Sequence, residues 1–305
     1  MYFKYRTVVN VAVRVPASSA NLGVGYDVLA LALDLHLEVS VELAADGESS
    51  LSVDGEGADS LRWDDSNRFL RGLRAGARAA GVQSVPALRV EMRNEIPLAR
   101  GLGSSAAATV AGLLVGRELF DQPESADRVL ELATEIEGHP ENAAASLHGG
   151  FVVCAAGRVV RYEPPTELRV VLFIPERELA TADMRALLPE SIAHADAVHN
   201  VGRAALVVSA FATGDLSLLG AMYDDRLHEP YRAANYPELP HLVSAARRAA
   251  LGAALSGAGS AVIALCGDDR SASFVVDLLS DTAAQLGLAG RCDLVRLAAK
   301  GALIT

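Results

Sequence analysis

The sequence predicts a mixed protein of strands and helices arranged in two domains, and three observations lead there. Period-two and period-3.6 patterns of apolar residues alternate along the whole chain. A length of 305 residues is enough for two modest cores. Near the middle, Pro164-Pro165 resists both helix and central strand, which places the expected boundary between residues 1–164 and 165–305.

Composition narrows the classes of function. Hydrophobic residues make up 51% and charged residues 21%, so a substantial core is available and extended disorder is not expected. A net charge of −11 argues against broad nucleic-acid binding and against docking on an acidic membrane, leaving small molecules as the expected partners. The three cysteines, Cys154, Cys266 and Cys292, form neither a CxxC pair nor a zinc-ligand pattern, and a reducing cytoplasm is the simplest setting. The N-terminal MYFKYRTVVNVAVRVP alternates like a strand and lacks a signal core. Ala249 to Gly267 is uncharged and nearly long enough to span a membrane, but its Gly/Ser cluster suggests strand, tight loop, strand. No repeat of 20 to 50 residues recurs.

Taken in order, Val8 to Val15 reads as a strand. Pro16 to Asp27 is a small-residue loop, followed by an apolar segment and a strand from His36 to Leu43. Asp46 to Asp65 reads as a polar connection, and Asn67 to Ala80 as an amphipathic helix stopped by Gly81. Leu88, Val90 and Met92 alternate with Arg89, Glu91 and Arg93, describing a half-exposed strand. After the loop Pro97 to Ala107, a helix runs from Ala106 to about Glu118, and Ser125 caps another that ends near Gly138. A strand follows from Phe151 to Ala155. In the second half, Leu168 to Ile174 is an apolar strand, and Thr181 to Leu188 and Asn200 to Thr213 are helices. Asp215 caps a further helix to about Tyr223. Leu255 to Cys266 forms strand, SGAGS loop and strand, before a helix from Arg270 to Leu286 and a last strand from Arg291 to Leu297.

The loop PLARGLGSSAA, comprising Pro97, Leu98, Ala99, Arg100, Gly101, Leu102, Gly103, Ser104, Ser105, Ala106 and Ala107, is a candidate phosphate cradle. Its glycines allow close approach of backbone to a ligand, and Ser104 and Ser105 are placed to cap the helix behind it. Free amides and the positive dipole end of that helix make an anion site. The Walker pattern fails because no Lys-Ser or Lys-Thr follows the glycines. The dinucleotide pattern fails because the preceding strand alternates instead of being buried on both faces.

Other residues offer chemistry with bland alternatives beside it. Asn21 and Asp27 flank Gly23 and Gly25 and suit a hydroxyl or ammonium, or else form an Asx turn and a helix N-cap. His139 and Asn142 suit a ligand or a plain turn. Glu131, Glu135 and Glu137 sit near a helix C-terminus, where the dipole disfavours negative charge, so they form either a magnesium site with Ser105 or a solvated face. Arg185 and Arg232 are carboxylate clamps or surface arginines.

Taken together, these segments resemble the GHMP small-molecule kinases. RVPASSANLGVGYDVLALALDL (Arg14 to Leu35), IPLARGLGSSAAA (Ile96 to Ala108) and LSGAGS (Leu255 to Ser260) match that family's three motifs. EIEGHPENAAASLHGG (Glu135 to Gly150) and DRLHEPYRAANYPELP (Asp225 to Pro240) are closest to its homoserine-phosphorylating branch, and the likeness covers essentially the whole chain. The resemblance implies an α+β fold, with an N-terminal left-handed β-α-β ATP domain and a C-terminal ferredoxin-like domain enclosing the site. It further implies ATP and Mg2+ as cofactors, L-homoserine as substrate, and a homodimer as what the family suggests. By position, Asn21, Asp27, His139, Arg185 and Arg232 would hold homoserine, Asn67 would match the adenine-loop asparagine, and Ser105 would ligate magnesium. Counting back from Asn142 favours Glu131 as the second ligand, whereas the local wording favours Glu135 or Glu137.

Two departures accompany the likeness. Some relatives carry an aspartate where Asn142 stands, and Asn142 cannot take a proton, so transfer is expected to rest on positioning and charge neutralisation, with Asp27 the nearby candidate for a base. The family usually has proline after the second glycine of the third motif, where this chain has Ser260 and Ala261, which would loosen that loop. The competing expectations are a kinase of the same type for a different amino alcohol, and a silent nucleotide-binding relative.

Overall fold

The computed structural model describes residues 10–120 and 125–305, arranged on two sheets. In the first, β1 (Asn10–Ala20) runs antiparallel to β2 (Leu29–Leu43). β2 also pairs with β4 (Leu88–Asn94), and β3 (Ser50–Gly55) lies parallel to β4. Helix α1 (Arg68–Ala79) joins that parallel pair, completing a β-α-β unit. β5 (Phe151–Ala155) pairs with the start of β2, and β6 (Arg158–Tyr162) folds back on β5. Three more helices pack here: α2 (Ser104–Leu119), α3 (Ala126–Glu137) and α4 (Glu141–His148). The α1 and α2 backbones nearly touch, since a Cβ on Gly112 would lie 2.1 Å from the Phe69 carbonyl oxygen.

The second sheet holds β7 (Arg169–Pro175), β8 (Gly252–Leu255), β9 (Val262–Cys266) and β10 (Gly290–Val295), in the order β10-β7-β9-β8 and antiparallel throughout. Between β7 and β8 lie α5 (Thr181–Ala186), α6 (His194–Thr213), the 3-10 turn Leu216–Met222, α7 (Glu229–Arg232) and α8 (Leu239–Ala246), and α9 (Asp269–Gln285) joins β9 to β10. The resulting β-α-β-β-α-β order, with α8 and α9 on one face, is ferredoxin-like. Both parts of the expected α+β fold are thus present.

β7 explains its own unbroken apolar sequence. Val170, Leu172 and Ile174 enter a core shared with the first sheet, while Val171 and Phe173 enter a second core beneath α8 and α9. A strand covered on both faces has no polar side to alternate with.

Several expectations need correction. Val8 and Val9 lie outside the described residues. The first strand does not stop at Val15 but continues across a register shift at Pro16/Ala17 to Ala20, because Ala17 to Ala20 still pair with β2, so the loop begins at Asn21. The connection Asp46 to Asp65 contains β3, whose mostly exposed SLSVDG carries little apolar signal. Gly103, at φ 71°, occupies the cap position of α2 without a side-chain cap, and Ser104 and Ser105 lie inside its first turn. β6 and β11 (Leu303–Ile304) had no clear pattern, and β11 brings the chain back from the second sheet to pair with β1. The Ala249 to Gly267 run is β8, a loop and β9, and among the described residues no helix is long and apolar enough to cross a membrane.

Candidate active site

One open cleft lies where the β1–β2 loop, the start of α2, the α3–α4 corner and the β8–β9 loop meet. The phosphate-loop residues Pro97, Ala99, Arg100, Gly101, Leu102, Gly103, Ser104, Ser105 and Ala106 line it, as do Asn21, Asp27, Glu137, His139, Asn142, Arg185 and Arg232. Five expected residues do not. Ala107 is buried in the core, and Leu98 faces a neighbouring pocket. Asn67 caps α1, its Oδ1 accepting from the Leu70 amide at 3.2 Å, and its Nδ2 donates to the Arg62 carbonyl at 2.8 Å. Glu131 and Glu135 stand on the outer face of α3 beside Arg128, at 2.9 and 4.0 Å.

The phosphate loop is held from both sides. The Ser18 amide donates to the Leu102 carbonyl at 3.1 Å, and the Ala261 amide to the Arg100 carbonyl at 3.0 Å. Arg100 donates to the carbonyls of Leu98 and Pro175, so its guanidinium anchors the loop to β7. Space requires the glycines: a Cβ on Gly101 would sit 2.0 Å from the Ser256 carbonyl oxygen, and one on Gly103 2.1 Å from Ser18 Oγ. Gly101 and Gly103 have φ of 73° and 71°, which other residues adopt at a cost. Behind them the 16-residue α2 begins, its first amides without a preceding turn to bond. The Ser260-Ala261 departure leaves the third loop tied down, since Ser260 is fully buried and its hydroxyl donates to the Arg177 carbonyl.

At the α3–α4 corner, Glu137 accepts from Ser105 Oγ at 2.7 Å and Thr109 Oγ1 at 2.6 Å, with Arg68 Nη1 3.5 Å away. Gly138, left-handed at φ 85°, ends α3 and lets His139 turn into the cleft. His139 Nδ1 lies 2.9 Å from Glu141 Oε1, and that carboxylate raises the imidazole pKa above its ordinary value. Asn142 Oδ1 accepts from Ser18 Oγ at 2.9 Å, which fixes its amide group.

Side chains from distant segments make the other end. Arg185 forms a two-pronged bond to Asp27 at 2.8 and 2.9 Å, and that bond raises the guanidinium pKa. Arg232 is buried, which lowers its pKa, and its Nη1 donates to the Gly257 carbonyl at 2.9 Å. Both guanidiniums lie 5.5 Å from the Tyr26 ring centroid. Asn21 joins the motifs: its Nδ2 donates to Gly257 at 2.9 Å, and its Oδ1 accepts from the Asp27 amide at 3.0 Å. Asn21, Leu22 and Asp27 all have positive φ, a cluster of backbone strain of the kind found at working sites. Asp27 leads into β2, so it is no helix cap.

Two charged lining residues were not among the expected site residues. Arg68 lies next to the expected Asn67. Glu141 is only 2% exposed, its Oε1 near Asn142 Nδ2 at 3.3 Å and its Oε2 without a partner. Its place between His139 and Asn142 was the available signal; its burial was not.

An anion cradle at a helix start, facing an acidic and arginine-lined pocket across a β-α-β unit and a ferredoxin-like sheet, defines a small-molecule phosphotransferase. The family model for the GHMP kinases N terminal domain matches residues 67–150, and that for GHMP kinases C terminal matches 207–284. Homoserine kinase of Deinococcus radiodurans is 40% identical, covering 92% of this chain and 92% of that protein; homoserine kinase of Streptomyces avermitilis is 43% identical, covering 89% and 90%. The crystal structure of homoserine kinase from Cytophaga hutchinsonii superimposes with a TM-score of 0.87 at 27% identity over the whole of both chains. The chain belongs to the GHMP kinase family, in its homoserine kinase branch.

Proposed function

We propose that this protein transfers the γ-phosphoryl group of ATP to the side-chain hydroxyl of L-homoserine, giving O-phospho-L-homoserine for threonine synthesis. The observation that carries the reading is the convergence, in one cleft, of the Gly101–Ser105 cradle with Asp27, Glu141, Arg185 and Arg232. That set complements a triphosphate on one side and an amino acid on the other.

The loop amides and the α2 dipole receive the phosphates. Of the three candidate glutamates, only Glu137 faces the cleft, and its carboxylate with Ser105 Oγ is an all-oxygen donor set that fits magnesium. When bound there with the phosphates, Mg2+ would neutralise charge on the transferring group. Arg232 and Arg185 receive the substrate carboxylate. The unpartnered Glu141 Oε2 is the natural acceptor for its ammonium, since a buried acceptor left unpaired is costly. Asn142 neither takes nor gives up a proton at neutral pH, so its Nδ2 orients the hydroxyl. Asp27 is engaged by Arg185 and becomes available as a base only as substrate draws that arginine away. Catalysis then rests mainly on in-line positioning and preorganised charge.

Incubation of the purified protein with Mg-ATP and, separately, L-homoserine, mevalonate, galactose or shikimate tests this. ADP release is expected with homoserine well above the other alcohols. No homoserine-dependent release would end the proposal.

A further inference from the structure

His228 belongs to the DRLHEPYR segment, lies beside the cleft without lining it, and is fully buried. Its Nε2 is 2.7 Å from the Gly23 carbonyl oxygen. A carbonyl only accepts, so Nε2 carries the proton and Nδ1 is bare. Arg232 Nη1 donates to that bare nitrogen at 3.0 Å while also donating to the Gly257 carbonyl at 2.9 Å. One imidazole thus links the β1–β2 loop, through Arg232, to the β8–β9 loop.

The surroundings hold this arrangement in place. Asp225 is 3.8 Å from Nε2, but its oxygens already accept from the amides of Leu227, His228 and Glu229 and from Asn200 Nδ2. It therefore organises the 225–229 backbone. Burial lowers the His228 pKa and keeps the ring neutral. The Tyr26 ring, 5.2 Å from the imidazole, packs against both it and the Arg232 guanidinium.

Neutrality matters to what Arg232 can do next. A carboxylate in the same place would form an ion pair with the guanidinium and compete with any incoming anion. A neutral acceptor orients the planar fork and leaves its full charge for a ligand. We propose that His228 is a positioning residue for substrate-carboxylate recognition: its Nε2–H is anchored on Gly23, and its bare Nδ1 aims Arg232 into the cleft with the positive charge intact. This rests on the reading that a homoserine carboxylate meets Arg232.

Two substitutions separate the two nitrogens. In His228→Asn the side-chain oxygen falls near the Nδ1 position and can still accept from Arg232. In His228→Gln the amide nitrogen falls near Nε2 and keeps the Gly23 link, but the acceptor for Arg232 is lost. Binding is measured for L-homoserine, for 3-aminopropan-1-ol, which lacks only the carboxylate, and for ATP. His228→Gln is expected to weaken homoserine about ten-fold or more and to leave the other two within about two-fold, with His228→Asn recovering most of the loss. Equal weakening of homoserine and 3-aminopropan-1-ol, or unchanged homoserine binding in His228→Gln, would overturn the assignment. Should neither variant fold, 15N spectra of the wild-type ring decide: a bare Nδ1 whose resonance moves on adding homoserine supports it, and a proton on Nδ1 overturns it. A wild-type protein inert toward homoserine would instead refute the functional reading, and the substrate role of His228 with it.

Discussion

The two ends of the cleft are built on opposite principles. The proposed phosphate end is one continuous segment, Pro97 to Ala106, and it would work through backbone: amides at the α2 start, with Gly101 and Gly103 at turns where a Cβ would clash. The proposed substrate end is made of side chains far apart in sequence, with Asp27 meeting Arg185 and Gly257 held by both Asn21 and Arg232. A backbone site admits almost no substitution where the chain turns, and its amides do not titrate. A side-chain site can be retuned residue by residue, and it inherits the charges and pH dependence of its parts. One fold can therefore keep the phosphate end constant while changing the alcohol it accepts.

The sharpest way to break the contrast is Gly101→Ala. Its Cβ would press within 2.0 Å of the Ser256 carbonyl oxygen at a φ of 73°. We expect loss of about 3 kcal/mol of stability and about 1,000-fold in kcat/KM, read by thermal unfolding and steady-state kinetics. A variant with near-normal stability and activity would show that the close approach is not required. Next in size is Arg232→Ala. Homoserine KM should rise about 100-fold with ATP KM within about three-fold, because a carboxylate clamp is lost while the cradle is untouched. Comparable rises for both substrates would mean that the ends are not separable.

The acidic helix sharpens the comparison further. Glu137→Gln is expected to lower kcat about 100-fold and to raise the magnesium concentration needed, whereas Glu131→Gln and Glu135→Gln stay within about two-fold. A loss confined to Glu131→Gln would move the magnesium site to the outer face of α3. The smallest effect belongs to Glu229, whose carboxyl burial pushes up to about 8 while it accepts from the Leu255 amide at 2.6 Å. The folded state then holds this proton through neutral pH, whereas the unfolded chain releases it near 4.5. The stability it contributes is full below about pH 4.5 and is lost as pH rises toward 8. Glu229→Gln does not ionise, so it should gain on the wild type progressively as pH rises across that window, read in urea titrations at several pH values. A pH-independent difference would place the charge on another group.

The phosphate loop was readable without coordinates because each of its requirements is local. Two glycines, two serines and an alanine-rich helix lie within eleven residues, and the alternating strand before them excludes the competing loops. The paired arginines and the Asn21/Asp27 loop could be named as residue types suited to an amino acid. Their partners could not, since an arginine with a carboxylate and an arginine on solvent look alike in sequence.

What the sequence determined by itself was most of the succession of elements, the family, and the identity of most of the residues facing the cleft. Choosing among Glu131, Glu135 and Glu137 took the tertiary structure: all three fit the local pattern, and only the packing of α3 against α2 turns Glu137 toward Ser105 and Thr109. The same holds for β3, an exposed edge strand recognisable only by its partner, and for β11, which crosses back to β1. It holds most of all for Glu141 and His228, whose proposed roles rest on burial and on which atom has a partner. Periodicity is written along one dimension, whereas burial and pairing depend on segments hundreds of residues apart, and those decide which charges in this cleft are free to act.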